Sequence, residues 1–445
     1  MIIRTLFLTL LGITLAGCGE PESRTDEATT DPITIDDDAR EYVFLELSMG
    51  EIDANHVDAY YGPDALRESA REEGLTLQEI SEQAAVLKVR LEQRLAALRY
   101  AGEPMPDGVD EELAARLENL VARLNALAMR IRINEGDYAS FDEESEALFM
   151  SVAPHYDAAH FEAILAEIDA LVPGDGSLSE RVNAYREQFV IPVDRLPEVF
   201  EAAIGECRRR TLEHIELPDT ESFTIEYVTD KPWSGYNWYQ GNTHSLIQVN
   251  TELPIYIDRA VDLGCHEGYP GHHTWNALIE THLVGDKGWI EFTVQPLFAP
   301  AALIAEGSGN YGIELAFPGD QRIAYETEVL FPLAGLDPDE AGTYYALLEL
   351  LGQLNYAGNE AARAYLDGEI DAGAAVDWLV KYSLNSPERA TQRLRFFDTY
   401  RSYVINYNLG KDKVKGYVEA DGADTDERWA RFERMLSTPF LPDML

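Results

Sequence analysis

The sequence predicts a mainly α-helical body built from many helices and carrying one small β-sheet. Three observations lead there. Long stretches place apolar residues at three- and four-residue steps, the spacing of one helix face, as in Ile80, Ala84, Leu87, Leu91, Leu95 and Leu98. One central stretch alternates instead, with Phe223, Ile225 and Tyr227 set against polar neighbours. Of the 445 residues, 46% are hydrophobic and 26% charged, a soluble globular balance that excludes disordered and fibrous classes.

The elements follow from the N-terminus. Arg4 precedes an apolar stretch from Leu6 to Leu15, short for a permanent span and placed as a signal-peptide core, so residues 1–17 are read as that peptide. Its end, Leu15-Ala16-Gly17-Cys18, resembles the lipobox of bacterial lipoproteins, which implies cleavage before Cys18 and a lipid on its thiol. Gly19 follows the cysteine where an Asp would retain the protein in the inner membrane, so the expectation is an outer-membrane lipoprotein facing periplasm or exterior. Residues 18–38 are acidic and without aromatics, and read as a flexible tether.

A single domain is expected over 39–445, helical over 39–216 and carrying the chemistry over 217–445. The stripe ending at Leu98 and a second one, Leu113 to Ile131, predict two long antiparallel helices joined by the Pro-containing turn Gly102–Gly108. Further helices are predicted over 142–152, 158–171, 178–190 and 195–216. Strands are predicted at 223–227 and 245–250, separated by a loop at 231–243. Helices then return over 337–366, 371–383, 387–409 and 425–437.

The net charge of −45 repels phosphate backbones and anionic lipid headgroups, so nucleic acid is not an expected partner and the membrane is reached only through the N-terminal lipid. Cys207 and Cys265 remain, and their spacing leaves three readings open: a disulfide, two buried thiols, or a thiol near a metal.

Of nine histidines, three crowd into His266-Glu267-Gly268-Tyr269-Pro270-Gly271-His272-His273. A helix offers two metal-binding histidines at i and i+4, about 40° apart on one face, and a Glu beside the first to deprotonate water. Here i+4 is Pro270. On an ideal helix His272 points roughly 120° away, and His273 shares the face but lies about 10.5 Å along the axis. Neither fits, unless Pro270 and Gly271 break the helix into a bulge. A histidine turn with no metal fits the spacing equally well.

The segment HEGYPGHH resembles the HExxPGHH signature of the bacterial family known as domain of unknown function 885, grouped with gluzincin-like zinc metallopeptidases. Tyr42 to Leu47 and Val57 to Pro63 are similar to that family's opening, Glu306-Gly307-Ser308-Gly309-Asn310-Tyr311 to its EGWxxY element, and Tyr407 to Lys411 to its close. Ser308 stands where Trp is usual, Glu314 comes one residue late, and Arg401-Ser402-Tyr403 replaces a common Pro-Gly-Gln, departures that bear on the substrate pocket.

The resemblance implies a metallopeptidase-like body with its sheet near the active site and one Zn2+ per chain. The implied ligands are His266, His272 and Glu306. His272 is chosen over His273 because its Gly-His step looks like the end of the shorter motif in related peptidases. Glu306 follows the apolar run 299–305 and precedes Gly307, and is preferred to Glu280, Glu291 and Glu314. Glu267 is the implied general base and Tyr407 the group that stabilises the oxyanion. His244, His273, Tyr403 and Arg401 are candidates for substrate contact, and the strand after His244 is expected to pair with a peptide backbone. The reaction expected is hydrolysis of peptide bonds. The alternatives are a non-catalytic lipoprotein that binds peptide or metal, and an amidohydrolase acting on a non-peptide or murein stem-peptide amide. Oligomeric state is not legible.

Overall fold

The computed structural model describes residues 34–100, 109–231 and 233–445. The signal peptide, Cys18 and the turn at Gly102–Gly108 lie outside these residues. Residues Ile35–Leu445 form one compact unit that is mainly helical, with a two-stranded and a three-stranded sheet. Among the described residues no helix is long and apolar enough to cross a membrane.

The tether prediction fails over its last residues, because a helix begins at Ile35 and runs to Ile52. Asp36, Asp37 and Asp38 occupy its first turn, where carboxylates face unpaired backbone N–H groups and the positive end of the helix dipole. Asp38 is buried and accepts from Arg90 Nε at 2.5 Å and Arg94 Nε at 2.6 Å. Acidity that suggested solvation is here neutralised by two arginines of the Leu77–Tyr100 helix. That helix packs on Val109–Asn134, with Arg99 near the end of one paired to Glu118 near the start of the other, as an antiparallel pair requires.

Strand β1 (Val57–Tyr60) had no sequence prediction. The strands that follow are β2 (Ser222–Val228), β3 (Gly235–Tyr239), β4 (His244–Asn250) and β5 (Val294–Pro296). β1 pairs antiparallel with β5, tying the N-terminal helices to the second half of the chain. In the other sheet the order is β2-β4-β3, with β2 parallel and β3 antiparallel to β4. β3 falls inside the segment predicted as a loop, and it forms because β4 supplies its ladder in the register Asn237↔Ile247. β4 is therefore central and has no free edge for a peptide. The strand beside the cleft with an edge to offer is β3.

Two helices form the floor of the cleft. Pro300–Ala316 and Ile405–Val418 cross at Gly307 and Gly410. A Cβ on Gly307 would lie 2.5 Å from the Gly410 carbonyl carbon and oxygen, and one on Gly410 would lie 2.6 Å from Leu303 O. Only a residue without a Cβ permits this approach. Cys207, on the Leu196–Thr211 helix, and Cys265 form a disulfide with Cα atoms 5.5 Å apart, which settles the three open readings.

Candidate metal centre

The helix Asp258–Leu263 continues into one wide π-turn, Gly264–Gly268, before the chain leaves helical geometry at Tyr269 and restarts as a helix at His272–Ile279. The amide of Gly271 donates to Cys265 O at 3.0 Å, closing the loop. A Cβ at Gly271 would sit 1.9 Å from His266 O, so this turn demands glycine. The break brings the His266 and His272 rings to a centroid separation of 4.6 Å.

Glu306 arrives from Pro300–Ala316, and ligand atoms of His266, His272 and Glu306 lie within 4.8 Å of one another. His266 Nε2 is 3.1 Å and His272 Nε2 3.9 Å from Glu306 Oε2. Glu306 Oε1 accepts from the Tyr403 hydroxyl at 2.7 Å, while buried Oε2 has no hydrogen-bond donor of proper geometry. The amide of Asn310 donates through Nδ2 to Tyr407 O at 2.9 Å, so its Oδ1 is the acceptor 3.0 Å from His266 Nδ1. His266 Nδ1 therefore carries the hydrogen, and in the neutral ring Nε2 turns a lone pair towards the lone pairs of Glu306. Only a cation between them, a proton or a metal ion, reconciles that arrangement. Two imidazoles and a carboxylate form a donor set that suits zinc, with room for a further ligand from the cleft.

Electrostatics shows what the site does with a proton alone. Burial disfavours a charged His266, but the Glu306 carboxylate 3.1 Å from its Nε2 and the charge of Glu267 carry it up to about 9. Burial and the His266 charge push His272 down to about 4. Burial lifts Glu267 to about 7, and Asn237 Nδ2 holds its backbone by donating to Glu267 O at 2.6 Å. A carboxyl near neutrality is poised to take and return a proton.

The remaining predicted residues divide. Tyr407 lines the cleft, and burial and the Glu306 charge raise its hydroxyl well above the usual range. Tyr403 spends its hydroxyl on Glu306 and positions that side chain. His273 does not reach the cleft: it is fully buried, with Nδ1 2.8 Å from Ser245 Oγ and Nε2 3.0 Å from Glu221 Oε2. One further residue along the new helix turns it from the cleft towards the sheet. His244 is also withdrawn, its Nδ1 2.9 Å from Ser222 Oγ of the neighbouring strand. Arg401 is held by Glu144 Oε2 at 2.6 Å and does not line the cleft. Glu280, Glu291 and Glu314 are each engaged elsewhere, with Tyr239, Arg116 and Lys411.

Residues that sequence reasoning missed are Asn310, Asn237 and Asp58. Asn310 was findable, since it lies four residues after Glu306 and so on the same helix face. Asp58 comes from β1, accepts from the Tyr236 hydroxyl and lines the cleft; burial and the Glu306 and Glu267 charges raise it to about 7. The cleft has a volume of about 1,560 Å³.

No family model matches the chain, and no curated protein matches it. Among solved structures it is similar to a candidate lipoprotein from Colwellia psychrerythraea at 15% identity, with a TM-score of 0.48, covering 91% of this chain and 76% of that one. A candidate lipoprotein of unknown function from Shewanella oneidensis is similar at 12% identity and a TM-score of 0.39, over 84% and 73% of the two chains. Likeness of this degree fixes neither fold nor function.

Proposed function

We propose that the protein is a zinc-dependent hydrolase of peptide bonds, with His266, His272 and Glu306 as ligands. The observation that carries this is the convergence of ligand atoms of His266, His272 and Glu306 within 4.8 Å of one another, with His266 and Glu306 held by Asn310 and Tyr403. Zinc held there supplies a Lewis acid for a carbonyl and lowers the pKa of water. Glu267 takes the proton of the attacking water on its carboxylate and returns it to the leaving amine. Tyr407 presents its hydroxyl from the floor of the cleft to the oxygen on which charge builds. The edge of β3 offers backbone donors and acceptors to an extended peptide, the part earlier assigned to β4.

The chemistry of the site supports this reading without any family membership, and the resemblance to the domain of unknown function 885 agrees with it. Lipid attachment at Cys18 in the bacterial envelope is proposed on the sequence Leu15-Ala16-Gly17-Cys18. The test is metal analysis of the purified chain, followed by incubation with a mixed peptide library with and without chelator. Chelator-sensitive cleavage is expected. A metal-loaded protein that cleaves nothing would leave a metal- or peptide-binding lipoprotein, and cleavage of murein stem peptides alone would select the amidohydrolase reading.

A further inference from the structure

One wall of the cleft is basic in a chain with 35 Lys and Arg against 80 Asp and Glu. Arg389 and Arg393 stand one turn apart on the Pro387–Tyr400 helix, and both line the cavity. Among the described residues neither guanidinium has a carboxylate or other hydrogen-bond acceptor. Arg393 lies against the rings of Phe396 and Phe397, at 5.0 and 5.6 Å. Arg389 lies 5.8 Å from the centre of the Tyr256 ring, and the same ring takes Arg186 at 4.2 Å. Arg186 also lines the cleft, and its buried Nε has no acceptor.

Of the acids nearby, neither forms an ion pair with Arg389, Arg393 or Arg186, although the charge of Asp258 is felt at Arg389. Asp258 accepts from the Tyr344 hydroxyl, and Asp262 is paired with Arg259 at 3.0 Å and Arg322 at 2.8 Å. The three cations thus sit partly desolvated beside aromatic rings, and among the described residues none has a carboxylate at ion-pair distance, an arrangement that costs free energy until an anion arrives. Burial holds both helix arginines below the usual guanidinium range, and for Arg389 the charges of Arg186 and Arg259 add to it while Tyr256 and Asp258 oppose it. Tyr407 lies within electrostatic reach of Arg393 on one side and of Glu306 and Glu267 on the other, which puts the basic wall along the cleft from the metal centre.

We propose that Arg389 and Arg393, faced by Arg186, form a subsite that binds a carboxylate of the substrate. Planar guanidinium groups match carboxylate oxygens in pairs, and the lack of an ion-pair partner among the described residues makes these available. The carboxylate is the free C-terminus of a peptide or an acidic side chain. The peptide as carrier rests on the hydrolase reading, but binding does not require turnover.

The test is therefore binding to the Glu267→Gln protein, read by fluorescence anisotropy with three matched peptides. One has a neutral sequence and free C-terminal acid, the second is its C-terminal amide, and the third is the amide with one Glu introduced. Tenfold or greater preference for a carboxylate-bearing peptide over the neutral amide is expected, and which of the two is preferred identifies the source. Arg389→Gln with Arg393→Gln should bring the ratio close to one, and Arg393→Lys, which keeps the charge, should retain part of it. Circular dichroism of each variant controls for folding. Equal affinity for all three peptides, no binding of any, or a preference that survives the double substitution would overturn the subsite. Preferential binding by a protein that hydrolyses no peptide would support the subsite and remove the hydrolase reading alone.

Discussion

Replacing His273 with alanine separates two neighbouring histidines with opposite fates. The ring makes one hydrogen bond to a neutral hydroxyl, Ser245, and one to a carboxylate, Glu221. Such bonds contribute about 1 kcal/mol and about 1.5–3 kcal/mol, so truncation should cost about 2.5–4 kcal/mol. The cost stays in that range because Glu221 keeps the Tyr269 hydroxyl and Arg208 Nε at 2.8 Å, so its charge is not stranded. Unfolding entropy of about 2.1 cal/mol/K per residue, taken over the roughly 410 residues of the folded body, converts this to a melting temperature lower by about 3–5 °C. Zinc content, measured by elemental analysis after dialysis, should stay near that of the unaltered protein. His272→Ala should show the reverse, losing zinc because two ligands replace three. A His273→Ala protein that loses its metal while melting unchanged would refute the reasoning, as would a His272→Ala protein that keeps its full complement.

Glu267→Gln should retain zinc while turnover falls by about 10² or more, whereas Glu306→Gln should lose zinc first; paired metal and rate measurements distinguish them. Gly410→Ala forces apart a crossing in which backbone meets backbone, and should cost about 1–3 kcal/mol by urea denaturation, while Gly416→Ala on the same helix, with open space around it, should not destabilise. Burial opposes ionisation of Glu221, but hydrogen bonds from His273, Tyr269 and Arg208 bring it down to about 2. A depressed carboxylate stabilises the fold fully above its ordinary value and loses that contribution as pH falls towards its folded one, so melting temperature should drop between about pH 5 and pH 2. His273→Ala should flatten that slope.

Helices with strong periodicity were legible to the residue, as at Ala158–Leu171 and Thr425–Ser437. What escaped was structure whose cause lies elsewhere in the chain. β1 is four residues long and exists because β5, more than two hundred residues later, pairs with it. β3 reads as loop because Trp, Tyr, Gly and Asn crowd it, and its hydrogen bonds come from β4. In the site, the cluster from His266 to His273 announced itself by density, and Pro270 with Gly271 announced a break in the helix. Which histidine the break would return to the cleft depends on backbone angles that spacing does not encode. Arg401 was chosen for its chemistry and His244 for its place before a strand expected beside the substrate, and their partners Glu144 and Ser222, 257 and 22 residues away, had already claimed them.

The bridge between Cys207 and Cys265 spans 58 residues of chain, and all of β2, β3 and β4 lies inside that covalent ring. The exposed residues Thr229 and Asp230, which follow β2, are its natural point of attack for a protease that cuts before aspartate, since proline after Lys231 blocks cleavage at the lysine. A single nick there opens the ring without freeing either half. On a gel the nicked protein would run as one species until reductant is added, and only then as two. The sheet wall beside Glu267 is in this sense stitched at both ends, and an oxidising compartment is where such a stitch is kept closed.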